Sequence, residues 1–156
     1  MVYLFRVPAD AVVSYYHLAC AKEGAATLPS FDSFCTIAAR QWSEHAALGL
    51  EQHAEYPSKT IFVSYERLQE NTSVQLRRVT NFLELNPTDL QIAEAVETCA
   101  FERLREREYT KNPKLRRREF FRKGRVGGGA EELKPRVKRL VEDIAMPYYE
   151  LALKLA

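Results

Sequence analysis

An α/β architecture with a parallel sheet, few strands flanked by many helices, is predicted by three observations. Two short runs rich in β-branched and aromatic residues, Val2-Tyr3-Leu4-Phe5 and Lys59-Thr60-Ile61-Phe62-Val63-Ser64-Tyr65, read as strands. The region between them carries helical periodicity, the spacing expected of a crossover between parallel strands. The first run passes through a tight turn straight into a helix start, because Pro8 suits the first helical position and Asp10 places a carboxylate in the first turn.

The first run reads as a buried strand, and the helix after it is expected over residues 8–22, ending near Gly24. Phe34, Ile37, Ala38, Trp42 and His45 recur at intervals of three to four residues, which predicts a longer helix over residues 31–55, stopped by Pro57-Ser58. Asn71 suits a helix cap, with Val74, Leu76, Val79, Phe82 and Leu83 on the apolar side as far as Asn86-Pro87. Thr88-Asp89 caps a further helix to about residue 98. A last helix starts near Pro135 and carries Leu140, Val141, Ile144, Tyr148, Leu151 and Leu155, with Pro147 a candidate kink. Two strands alone make a poor sheet, so the chain reads as lacking strands of a larger one.

Composition excludes several classes. Hydrophobic residues at 46% and charged residues at 28% describe an ordinary globular chain of 156 residues rather than a disordered or fibrous one. No run of about 18 apolar residues is present, so no membrane span is expected. Met1-Val2-Tyr3-Leu4-Phe5-Arg6 lacks the features of a signal peptide. Cys20, Cys35 and Cys99 are an odd number with no CxxC pair, which points to reduced thiols and a cytoplasmic location. His17, His45 and His53 do not join them at metal-ligand spacing, so no metal is expected. The net charge of +2 conceals an uneven distribution, since residues 103–125 hold eleven Lys or Arg against three Glu. With Asn112-Pro113 and the glycines at 124 and 127–129, much of that segment is expected to be loop.

Two stretches carry chemistry. In Arg6-Val7-Pro8-Ala9-Asp10-Ala11-Val12-Val13-Ser14-Tyr15-Tyr16-His17, an arginine leaves the end of a strand and a hydroxyl follows eight residues later, two turns into the helix. Open α/β sheets bind ligands at such junctions. A guanidinium grips phosphate through paired hydrogen bonds and a serine adds a third, although spacing alone leaves open that Arg6 pairs with a carboxylate instead. In Phe120-Phe121-Arg122-Lys123-Gly124-Arg125-Val126-Gly127, two aromatics precede a basic, glycine-containing loop whose backbone N–H groups can approach an anion, or which is a solvated basic loop.

Together these stretches resemble the cytosolic-type sulfotransferases that use 3′-phosphoadenosine 5′-phosphosulfate (PAPS), and the resemblance runs from Val2 to about Leu155. Within that family an R-x-P-x-D-x-x-x-S-x-x-H stretch and an R-K-G-x-x-G stretch jointly bind the 3′-phosphate. The resemblance therefore assigns Arg6 and Ser14, on residues 6–17, and Arg122, Lys123 and Gly124, on residues 120–127, to that phosphate. It places Tyr65 beside the adenine and stacks Phe101 on it, and it aligns Trp42, His45 and Val63-Ser64-Tyr65-Glu66 with the family pattern. Cys99 stands where a threonine is common, and Gly129 where a tryptophan is usual.

The implied fold is part of the P-loop-NTPase-like sulfotransferase fold, with residues 1–156 as the C-terminal portion of one domain. The implied reaction moves a sulfuryl group from PAPS to a small-molecule hydroxyl or amine acceptor. No G-x-x-x-x-G-K-[ST] or comparable phosphosulfate loop occurs in the sequence, so no catalytic residue is assigned and the chain by itself is expected to be inactive. His17 matches the family's helix histidine and is expected to pack or face solvent rather than act as a base. A non-catalytic remnant or partner-binding protein keeping the back half of the fold is the alternative. A nucleic-acid module using the basic segment is a second alternative, and is disfavoured because the rest of the chain is slightly acidic. Acceptor identity and oligomeric state are open.

Overall fold

The structure, a computed structural model, describes residues 1–111 and 124–156. The chain divides into two compact units, one of Met1–Glu66 with Val126–Ala156 and one of Arg67–Arg125.

In the first unit, strands β1 (Val2–Phe5) and β2 (Ile61–Ser64) pair in parallel, with Val2 opposite Ile61 and Phe5 opposite Ser64. The crossover consists of α1 (Pro8–Glu23) and α2 (Phe31–Glu55). Gly24 closes α1 with a positive φ of 91°, a conformation that costs a side-chain-bearing residue energy. The Ser30 hydroxyl caps α2 by accepting from the Ser33 N–H. A final helix, here α7, spans Pro135–Leu155 and contains Pro147.

β1 is not buried throughout. Tyr3 and Phe5 point inward, while Val2 and Leu4 on the opposite face are 41% and 55% exposed. The alternation is that of a strand with one covered face, whereas all four residues of β2 are buried. The second strand is also shorter than its apolar run suggests, because Lys59 closes a 3-10 turn (Pro57–Lys59) and Tyr65 already begins a helix.

Two apolar clusters hold this unit together. In one, Val12 and Val13 of α1 meet Cys35, Ala38 and Ala39 of α2 and Val137 and Val141 of α7. In the other, Tyr3, Phe5 and Phe62 of the sheet meet Tyr149 and Ala152 of α7. Burying each large side chain contributes roughly 1.5–3 kcal/mol before entropy is counted. Small residues at Ala38, Ala39, Ser43, Ala46 and Gly49 line the buried stripe of α2 and let neighbouring elements approach. The single O–H of Ser43 is shared between the Ala39 carbonyl within α2 at 2.9 Å and the Ile144 carbonyl of α7 at 3.1 Å, so this buried donor is satisfied.

The second unit is helical: α3 (Tyr65–Glu70) leads in, followed by α4 (Thr72–Phe82), α5 (Asp89–Thr98) and α6 (Phe101–Lys111). Asn71 caps α4, and Thr88 with Gln91 forms a reciprocal capping box on α5. α4 stops at Phe82, before Asn86-Pro87, and Val74 and Leu83 are exposed rather than on a covered face. The basic segment is not loop at its start, because α6 continues to Lys111 with Glu and Arg interleaved on its surface. No helix among the described residues is long and apolar enough to cross a membrane.

Candidate functional site

The end of β1 delivers Arg6 to the start of α1. Its Nη2 donates to the Oδ2 of Asp10 one helical turn later, at 3.0 Å, and its guanidinium carbon lies 4.4 Å from the centre of the Tyr65 ring. Arg6 thus adopts the carboxylate pairing that spacing left open. It is held between a ring face and an anion while its side chain stays 23% exposed.

Asp10 is 1% exposed and accepts from three backbone N–H groups more than a hundred residues away. Gly127 N–H donates to Oδ2 at 2.6 Å, while Gly129 and Ala130 donate to Oδ1 at 2.7 and 3.2 Å. Burial by itself would raise the Asp10 pKa, but the Gly127 and Gly129 donors and the Arg6 charge together outweigh it and hold the carboxyl below its ordinary value. Gly129 has no room for a side chain, since a Cβ there would lie 2.7 Å from the Asp10 Cα. The position the resemblance gives to tryptophan is here a direct contact between backbone and carboxylate.

Glu66 supports the same junction from the first turn of α3, just beyond β2. Its Oε1 accepts from the Val7 N–H at 2.8 Å, and its Oε2 from the Ser64 hydroxyl at 2.8 Å and the Tyr149 hydroxyl at 3.3 Å. It thereby takes up a backbone donor at the α1 N-terminus, where no side-chain cap is present. Sequence reasoning aligned Glu66 with a pattern and gave Asp10 only a first-turn role. Apart from the nearby Arg6 and Ser64, their partners are backbone groups or side chains that the sequence places close to neither residue.

The remaining expected residues are distributed as follows. Ser14 is exposed on α1. His17 is part-buried, packs its ring edge-on against Tyr16, and brings its Nε2 to Glu132 Oε2 at 2.8 Å. His45 Nδ1 lies 2.9 Å from the Tyr3 hydroxyl, and His53 sets its ring edge-on to Phe62. In the unit of residues 67–125, Phe101 opens α6 and is half-buried. Gly124 has a φ of +60°, and a Cβ on it would come within 2.8 Å of the Phe101 ring. Cys99 caps the end of α5 and is exposed. Phe120, Phe121, Arg122 and Lys123 lie outside the described residues.

Comparison with known proteins identifies the family and the fold. The sulfotransferase domain family matches residues 1–151. Cytosolic sulfotransferase 12 of Arabidopsis thaliana is 32% identical, with the match covering 92% of this chain and 49% of that protein. Cytosolic sulfotransferase 15 of the same plant is 30% identical, covering 92% of this chain and 45% of that protein. The chain therefore spans about half the length of these curated relatives. A mouse sulfotransferase crystallised in complex with PAP superposes with a TM-score of 0.78 at 21% identity, covering 99% of this chain and 60% of that one. That likeness establishes the α/β fold of the sulfotransferases for this chain, a small parallel sheet among many helices. With the match over residues 1–151, the chain belongs to the sulfotransferase domain family, of the cytosolic type.

Proposed function

We propose that this chain is the C-terminal portion of a PAPS-dependent sulfotransferase and supplies the contacts to the nucleotide's 3′-phosphate and adenine. The observation that carries the reading is Arg6, fixed at the strand-to-helix junction between the Tyr65 ring and Asp10 and still partly exposed. An anionic ligand fits this arrangement because Asp10 is buried and engaged by four donors, so the charge presented outward is that of the guanidinium. Ser14, exposed two turns along α1, adds a hydroxyl, and Tyr65, part-buried beside Arg6, takes the adenine on the strength of the resemblance. Phe101, Arg122, Lys123 and Gly124 join them on the strength of the resemblance.

PAPS supplies an activated sulfuryl group, whose transfer forms a bond from sulfur to the acceptor oxygen or nitrogen and breaks the bond from sulfur to the phosphate oxygen. The chain's own residues hold and orient the adenosine 3′,5′-bisphosphate end, which is where binding energy is collected for positioning. The acceptor is a small-molecule hydroxyl or amine. The relatives' naming as cytosolic sulfotransferases supports a cytoplasmic setting.

Calorimetric titration with adenosine 3′,5′-bisphosphate tests this reading. Arg6→Ala and Arg122→Ala are each expected to weaken binding by about 1–3 kcal/mol, the worth of a charge-assisted contact. Unchanged affinity in both variants, with the fold intact, overturns the assignment. Binding to single-stranded nucleic acid that falls steeply with salt, without any response to the bisphosphate, replaces it with the nucleic-acid reading.

A further inference from the structure

We propose that Asp10 is a positioning residue of the nucleotide site, presetting both the Arg6 guanidinium and the backbone run 127–130 so that a phosphate meets an ordered pair of elements. The proposal rests on the nucleotide reading above and deepens it.

Asp10 is in no position to touch an anion. It is buried to 1% exposure and negatively charged, and its two oxygens are engaged by Arg6, Gly127, Gly129 and Ala130. A carboxylate so far from water persists only where donors replace its hydration, and here three of the four are backbone N–H groups of one short run. The geometry is specific on both sides. Gly127 takes φ +82°, a conformation glycine adopts without strain, and its N–H donates to Oδ2 at 2.6 Å. At Gly129 a Cβ would sit 2.9 Å from Oδ1 as well as 2.7 Å from the Asp10 Cα, so only glycine lets the backbone come this close. On the other side, Oδ2 fixes one nitrogen of Arg6 while Tyr65 covers the guanidinium face. One carboxylate therefore sets the direction of an arginine and the path of a glycine-rich run that are 121 residues apart in sequence from Arg6 to Gly127. Preorganisation of this kind removes ordering costs from the binding step.

The test compares adenosine 3′,5′-bisphosphate with adenosine 5′-monophosphate by calorimetry on the full chain, reading the ratio of their affinities as the contribution of the 3′-phosphate. Asp10→Asn keeps the shape but presents an amide where Oδ2 accepts two donors. It is expected to lower the ratio about tenfold or more, with the monophosphate affinity changed by less than about threefold. A residue that only stabilises the fold would weaken both ligands alike, and that outcome overturns the proposal, as does an unchanged ratio. Should Asp10→Asn fail to fold, Gly129→Ala serves instead, since it keeps the carboxylate and its Arg6 pair but pushes the run away. The same fall in ratio is expected, and its absence overturns the proposal. Wild-type protein that shows no preference for the bisphosphate overturns the nucleotide reading itself and this proposal with it, whereas a wild-type preference retained in the variants removes the Asp10 role alone.

Discussion

Replacing Gly49 with alanine sets two effects of known size against each other. Gly49 lies on the buried stripe of α2, where alanine is intrinsically better for a helix by up to about 1 kcal/mol. Against that gain, a Cβ at this position would lie 2.7, 2.9 and 3.1 Å from Cε2, Cδ2 and Cζ of Tyr3. The ring has little freedom to retreat. It is 6% exposed, stacked 5.2 Å from His45 and 4.8 Å from Phe62, and its hydroxyl is tied to His45 Nδ1. Burial also pushes the Tyr3 pKa up to about 12, so the hydroxyl stays protonated at ordinary pH. Overpacking of a core typically costs about 1–3 kcal/mol, and a ring this confined places the cost at about 2–3 kcal/mol, so against a helix gain of up to about 1 kcal/mol a net loss of about 1–2 kcal/mol is expected. For a chain of this size that corresponds to a fall in Tm of about 2–8 °C. Trp42 is the single tryptophan, and it lies 6.5 Å ring to ring from Tyr149 in the same unit, so its fluorescence during urea unfolding follows the affected core. In a Tyr3→Leu background the cost should shrink or reverse, because the obstructing ring is gone. Gly49→Ala protein as stable as wild type, or an undiminished cost once the ring at position 3 has been removed, refutes the reasoning.

Further outcomes follow from the polar junction and the second unit. The Asp10 pKa is lowered on folding from its ordinary 3.8, so its stabilisation is full above that value and is lost as pH falls through the lower folded pKa. The stability difference between wild type and Asp10→Asn, measured by chemical denaturation, should be large at pH 7 and narrow on acidification below pH ~4; a gap that widens in acid contradicts this. Gly124→Ala combines a positive φ with a ring 2.8 Å from the new methyl, and should cost about 1–3 kcal/mol in hydrogen-exchange protection around α6. Unaltered exchange there would mean that Phe101 yields without penalty.

Caps and prolines made most of the architecture legible. Pro8, Ser30, Asn71, Thr88 and Pro135 each stand at or immediately before a helix start, because the orphan N–H groups of a first turn demand a local remedy that leaves a local trace. What escaped was short or highly charged. α3 is six residues long, too brief for any periodicity, and α6 was concealed by its charge and by the Asn112-Pro113 and glycines beyond it. Within the described residues the helix runs from Phe101 to Lys111. The candidate site divides in the same way. Arg6 was visible from its junction, but its guanidinium's partners were not, because choosing between phosphate, carboxylate and ring requires knowing which groups the fold brings near. Most of the role of Asp10 was invisible from local pattern, for three of its four partners are amides that every residue but proline carries, and only Arg6 lies near it in sequence.

The two-ended construction of the first unit has a consequence for how the protein is made. Its cores join residues 1–66 to residues 126–156, and the Ser43 hydroxyl waits for a carbonyl 101 residues later. Loop-closure entropy rises by only about 0.6 kcal/mol per doubling of length, so the intervening unit burdens the finished fold very little. Time is affected more than stability. At about 5–20 residues per second, the nascent sheet and α2 wait roughly 5–20 s before α7 exists to cover Phe62, Ala38 and Ala39. The first unit therefore cannot complete its cores until α7 has been made, and until then the apolar faces that α7 covers stay open to water.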